Sequence, residues 1–108
     1  MAKVYTDPLS RTFGALTDPT RRAMLAFLET HPGCSVSDLA DEVSLKLPGV
    51  AKHLDVLSRA KLVARKKKGR VVSLSLRTAP LRRAKAWLAQ YDAFWTGSLD
   101  KLQRRLER

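Results

Sequence analysis

Apolar residues recur along this chain at three- and four-residue steps in several separate blocks, and at two-residue steps in one, so the pattern predicts a run of helices interrupted by strands. Leu9, Phe13 and Leu16 fall at i, i+4 and i+7, a short amphipathic helix entered through Asp7 and Pro8 and ending near Thr17. Asp18 offers an N-cap oxygen and Pro19 a preset first-turn φ to a second helix through Thr30, with Ala23, Met24, Phe27 and Leu28 as its apolar stripe. His31, Pro32 and Gly33 stop it. Ser35 with Asp38 three residues on is a variant capping box for a third helix, whose Val36, Leu39, Ala40 and Val43 face inward. After a turn over Ser44 to Leu47, Pro48 begins a fourth, with Val50, Leu54 and Leu57 on its buried face and Lys52, His53, Asp55 and Arg59 outside.

Two short helices joined by a tight turn, over about residues 35–60, predict a helix-turn-helix. Leu62 to Arg65 and Val71 to Leu76 are β-prone, and the connector Lys66-Lys67-Lys68-Gly69 supplies a hairpin tip, so a basic wing is expected over about 62–77. From Pro80 on, Leu81, Ala84, Leu88, Tyr91, Trp95, Leu99, Leu102 and Leu106 keep helical spacing. About 27 residues at ~1.5 Å each make one helix near 40 Å long, too long for so small a domain to cover alone. A partner chain is expected to cover it, and its aromatic content (Trp87, Tyr91, Phe94, Trp95) favours a subunit interface over a ligand pocket. Gly97 is placed to bend it.

The fold class expected is therefore mainly α with a small β-hairpin, a single winged helix-turn-helix domain over residues 1–108 with a long C-terminal dimerisation helix over about 80–106. No stretch approaches the roughly 18 apolar residues of a membrane helix, and the N-terminus does not read as a secretion signal, so the expectation is a cytoplasmic protein without membrane contact. Cys34 is the single cysteine, which rules out an internal disulfide and fits a reducing compartment.

Charge narrows the function. Arg59, Lys61, Arg65, Lys66, Lys67, Lys68, Arg70, Arg77, Arg82, Arg83 and Lys85 lie between Val56 and Tyr91 with no Asp or Glu among them, while outside that window acids and bases balance, so the net +11 sits in one third of the chain. A polyanion is the natural partner, because each phosphate met by Lys or Arg releases condensed counterions. There is no Gly-rich phosphate loop, no nucleophile motif and too little His and Cys for a catalytic metal cluster, so the chain reads as a non-enzyme.

The strings ALTDPTRRAMLAFL, SVSDLADEV, LKLPGVAKHLDVLSRAKLV, RKKKGRVVSLSL and WLAQYDAFWTGSLDKL, in that order, resemble the ArsR/SmtB group of bacterial winged-helix repressors over nearly the full length. That resemblance implies a homodimer formed through the first and last helices, with Leu9, Phe13, Leu88, Tyr91, Trp95, Leu99 and Leu102 at the interface, and double-stranded DNA with an imperfectly palindromic operator as partner. Many members sense metals through Cys-x-Cys-Asp-Leu on the third helix. Here that place reads Ser35-Val36-Ser37-Asp38-Leu39, and the Asp and His ligands of another familiar site on the last helix are absent, so no metal and no cofactor is expected. The resemblance is to the subset without the metal-binding cysteines, with four departures, one of them Gly49 in place of a small helix former. Lys46 stands where a capping Ser is usual, Ala51 where a Ser or Thr is usual, and Lys61 where Gly usually closes the recognition helix in a left-handed conformation.

For DNA contact the expectation is Lys46, Lys52 and His53 from the recognition helix, with Pro48, Gly49 and Ala51 close to the groove floor, and Arg65, Lys66, Lys67, Lys68 and Arg70 from the wing on phosphates or the minor groove. His53 has a second reading, as a brace between that helix and the domain. Cys34, with no resolving cysteine and no nearby cation in sequence, reads as an ordinary thiol. Two other functions fit the composition: a nonspecific nucleic-acid-binding or DNA-packaging protein, and an interaction module that turns its aromatic last helix to a foreign partner.

Overall fold

The computed structural model describes residues 6–107, and the side chains of residues 93–96, Trp95 among them, lie outside the described residues. Helix α1 (Pro8–Leu16) starts on Asp7, whose carboxylate accepts the Ser10 N–H at 2.8 Å, and α2 (Pro19–Thr30) starts on Asp18, which accepts from Thr20 and Arg21 at 2.7 and 3.2 Å. Each has proline in its first turn, where the missing N–H costs no helical bond. Helix α3 (Val36–Val43) opens on the expected reciprocal box between Ser35 and Asp38 and ends on Ser44 in the left-handed region, at φ 55°. Helix α4 (Leu47–Arg59) follows without a side-chain cap, as a lysine at the N-cap implies. Just past its end Lys61 stands at φ 61°, the left-handed residue expected there.

Strands β1 (Val63–Lys68) and β2 (Val71–Leu76) pair antiparallel from Val63↔Leu76 to Lys68↔Val71. The three lysines expected in the connector therefore belong to β1, because the ladder reaches the tip and leaves only Gly69 and Arg70 to turn. Gly69, at φ 64°, meets the demand of a two-residue hairpin for positive φ at its first turn position. One further pairing was not foreseen: Gly33 donates to the Leu74 carbonyl at 2.7 Å and Leu74 donates to the Cys34 carbonyl at 2.9 Å, tying the wing to the entrance of α3.

Met24, Leu28, Leu39, Val50, Leu54, Leu57, Leu62 and Leu74 form the core, each no more than 2% exposed. The stripe expected on α2 shifts: Ala23 is exposed and Leu25 is buried instead, since α2 is covered by α3 and β2 as well as by α1 and α4. On α1 the buried residues are Thr12 and Ala15, while Leu9, Phe13 and Leu16 are half-buried. The Thr12 hydroxyl is satisfied by the Pro8 carbonyl at 3.0 Å.

The single long C-terminal helix is corrected to two. Helix α5 (Ala79–Ala89) gives way to α6 (Asp92–Leu106) where the Gln90 and Tyr91 amides bond to Trp87 and Leu88, three residues back instead of four. That tightened turn breaks the helical register at Gln90 and Tyr91, whereas Gly97 lies within α6. Among the described residues α6 packs chiefly on α5 and points away from the core. The radius of gyration is 17.8 Å against about 13 Å for a compact chain of this length, with extents of 65 × 30 × 28 Å. No helix among the described residues is long and apolar enough to cross a membrane.

Arg21 knots three helices together. Its guanidinium donates to the Ala15 and Gly14 carbonyls of α1 at 2.7 and 3.2 Å, lies 4.0 Å from Asp18, and approaches His53 Nδ1 of α4 at 3.5 Å. Partial burial pushes the Asp18 pKa up, but the Arg21 and Thr20 amides and the charges of His53 and Arg21 outweigh it and hold the pKa below the usual carboxylate value.

Asp18→Ala is expected to cost about 1 kcal/mol near neutral pH, measured by urea denaturation. Because the folded pKa is depressed, the stability supplied by the ionised carboxylate is complete above the unfolded pKa and drains away as pH falls through the folded one. The gap between wild type and Asp18→Ala should therefore narrow below about pH 4; a gap that stays constant down to acid unfolding contradicts this assignment. Lys61→Gly should raise stability by about 0.5–1 kcal/mol by removing a β-carbon from the left-handed position. A lowered urea midpoint would show that the lysine side chain compensates.

Candidate nucleic-acid interface

The core fixes which side of α4 faces outward. With Val50, Leu54 and Leu57 buried, the opposite face presents Lys46, Pro48, Ala51 and Lys52, all exposed, with Gly49 half-buried beside them. A β-carbon at Gly49 would lie 3.8 Å from Leu45 Cδ1, an ordinary contact, so packing does not require glycine there. Leu47, 53% exposed at the first position of α4, was missed by sequence reasoning, which placed it in the turn. An apolar residue adjoining a helix start carries no signal distinguishing a surface from a core role.

His53 does not stand with the exposed set. It is half-buried against Arg21, the bracing arrangement. Arg65 is also engaged: its Nη2 donates to Asp55 Oδ1 at 3.0 Å and its Nε to Ser58 Oγ at 3.2 Å, turning the side chain back onto α4. Lys66, Lys67, Lys68 and Arg70 are exposed. Side chains alternate along a strand, so Lys66 and Lys68 share one face of the wing and Lys67 points from the other. Arg77 is anchored at the base of the wing by its N–H on the Leu62 carbonyl at 2.8 Å.

The expected interface residues lie on two connected surfaces. Phe13 meets Trp87 edge-on at 5.7 Å between ring centroids, and Trp87 meets Tyr91 at 5.1 Å, so α1 and α5 share one aromatic cluster. Leu88, Tyr91, Leu99 and Leu102 are exposed, and Leu9 is half-buried.

A model of a helix-turn-helix domain family matches residues 16–66, from the end of α1 into the wing. The transcriptional repressor SdpR of Bacillus subtilis is 28% identical over 83 residues, 77% of this chain and 91% of that protein. Among solved structures, the ArsR family transcriptional regulator RHA00566 superposes with a TM-score of 0.75 at 36% identity, over 89% of this chain and 97% of that one. The chain belongs to the ArsR family. An ArsR-like transcriptional regulator from Rhodococcus sp. RHA1 superposes with a TM-score of 0.72 at 30% identity, covering 90% of this chain and 91% of its own. This ArsR-family protein is a DNA-binding transcriptional regulator with the winged helix-turn-helix expected from its sequence.

The residues at the thiolate place of metal-sensing members do not fit a soft ion. At the first thiolate position Ser35 Oγ accepts the Asp38 N–H at 3.0 Å and already caps α3, with the Asp38 carboxylate accepting the Ser35 N–H at 3.1 Å, and the second position is the hydroxyl of Ser37, a poor ligand for soft ions. Among the described residues no three of His, Cys, Asp and Glu gather closely enough to hold a metal. At Cys34, burial and the nearby Asp38 carboxylate push the thiol pKa up, which favours the unreactive protonated form.

Replacing Lys66, Lys67 and Lys68 together by Ala should lower the slope of log affinity against log salt by about two, because only one face of a strand meets a given phosphate track. An unchanged slope would remove the wing from the DNA backbone.

Proposed function

We propose that this regulator is a homodimeric, sequence-specific repressor that acts on its own promoter and is not switched by a thiolate-bound metal. The observation that carries the reading is the two-sidedness of α4. The core holds Val50, Leu54 and Leu57 so that Lys46, Pro48, Ala51 and Lys52 project as one convex surface, with the basic wing beside it. A helix presented this way fits a major groove while the wing reaches the neighbouring backbone or minor groove.

Lys46 and Lys52 are the groove residues able to donate to guanine O6 and N7, and Leu47, Pro48 and Ala51 offer apolar contact to thymine methyls. Gly49 allows close approach without serving the core. Few base-edge donors beside many cations favour modest base reading on top of strong backbone attraction. His53 acts as a brace and Arg65 reaches the DNA only through its effect on the wing. The dimer reading is supported by α6, where Leu99, Leu102 and Leu106 are 62%, 53% and 78% exposed. A second copy supplies the missing surface, and a two-fold dimer matches a palindromic operator with half-sites about one helical turn apart. The metal-free reading rests on the committed capping box at Ser35 and Asp38. The net +11 also suits nonspecific nucleic-acid packaging, which the same titration separates from repression.

Fluorescence anisotropy with the duplex upstream of the chain's own gene and a shuffled duplex of equal composition, at near-physiological salt, should show a preference on the order of a hundredfold or more. Sedimentation of the same sample should show a dimer. Equal affinities that vanish together as salt rises would replace the repressor with a general polyanion-binding protein.

A further inference from the structure

Asp55 is the only carboxylate between Glu42 and Asp92, and it stands on the recognition helix in the middle of the DNA-facing charge. A negative charge there opposes phosphate, so its presence asks for a reason other than affinity. Its carboxylate holds the Arg65 guanidinium at 3.0 Å, Ser58 Oγ takes the Arg65 Nε–H at 3.2 Å, and the three residues bridge α4 to β1 near the base of the wing. The same three side chains, with Arg59 and Arg77, line an open cleft of about 480 Å³ between helix and wing, so Asp55 is the one anion among three arginines. The pair is 40% and 61% exposed, and an ion pair so open to water adds little to folding stability. What it does fix is direction: a two-point hold keeps the Arg65 guanidinium turned onto α4.

We propose that Asp55 is a specificity-determining residue that works by positioning: it clasps Arg65, fixes the wing relative to α4, and withholds one guanidinium from indiscriminate phosphate contact. This rests on the DNA-recognition reading above. Without the clasp, Arg65 is free to follow any backbone and the wing no longer arrives in one register with α4. Binding to unrelated DNA then strengthens while discrimination falls.

The test is a double-mutant cycle on the full chain, using a duplex selected by the wild-type protein from a random-sequence pool and a shuffled duplex of equal composition. Asp55→Ala should lower the ratio of selected to shuffled affinity by about fivefold, the upper end of what an exposed pair supplies, and should steepen the salt slope on shuffled DNA by up to about one. Arg65→Ala should lower the ratio by a similar factor, and the double variant no further than the larger single loss. Asp41→Ala, which removes a carboxylate from α3, should leave the ratio unchanged, separating the clasp from a simple gain in charge. Ratios that fall additively in the logarithm, or that do not fall in Asp55→Ala, overturn the proposal. If Asp55→Ala does not fold, Asp55→Asn keeps the shape without the charge and is subject to the same ratios. Failure of the wild type to enrich any duplex is a different result: it removes the recognition reading and this inference with it.

Discussion

Helix α1 ends with carbonyls short of intrahelical donors, and although Thr17 already donates to Gly14, it is the reach of Arg21 and Arg22 across to them that organises the rest of the domain. Arg21 takes Gly14 and Ala15, and Arg22 takes Leu16 at 2.6 Å. Both arginines come from the first turn of α2, which Asp18 caps, so α1 and α2 are held at a fixed corner by charge-assisted hydrogen bonds. Arg21 then reaches His53 on α4. One side chain thus relates the helix that meets α5, the helix that carries the core and the helix that faces outward.

That rigidity matters because the core is small and serves two masters at once. The apolar faces of α2, α3 and α4 with Leu62 and Leu74 close it, and the surface over α4 and the wing outside that shell is largely positive. Crowding cations on one side is self-repulsive, and a partner of opposite charge relieves it. The wing extends the charge at little cost to the core: Val63 and Leu74 are buried at its base, while its lysines lie on a paired strand that needs no burial to keep its backbone bonded. The bridge from Leu74 to Cys34 fastens the hairpin to the start of α3, so the wing is carried by the same body as α4.

The C-terminal third follows a different logic. Pro80 and Ala84 are buried and root α5 on α1, but beyond the break at Gln90 and Tyr91 Leu99, Leu102 and Leu106 of α6 stand exposed. The aromatic chain of Phe13, Trp87 and Tyr91 joins the rooted part to the projecting one. This aromatic surface spans α1 and α5 continuously and adjoins the same α1 corner that Arg21 holds.

Local chemistry made much of this legible in the sequence. Asp7, Asp18 and Ser35 cap helices because a short acceptor side chain beside orphan amides has few alternatives, the positive φ at Gly69 follows from turn geometry, and that at Lys61 from the family resemblance. The basic window could be read as an anion-facing surface because its residues are adjacent in sequence and need no folding to be counted. What depended on distance along the chain was not legible. The burial of Leu25 in place of Ala23 reflects which neighbours surround α2, and the break before α6 arises from a shift to three-residue hydrogen bonds at positions with no glycine or proline to announce it. The partners of Arg21 and Arg65 were likewise hidden: a side chain's charge is written in the sequence, but its choice between solvent, DNA and His53 or Asp55 is made by which helices and strands the packed core brings within about 3 Å. The sequence by itself therefore determined most of the elements, the caps of the first three helices and the sign of the surface. The tertiary structure alone decided which of those charges are held inside the protein and which remain for a partner, because that depends on contacts between residues far apart in the chain.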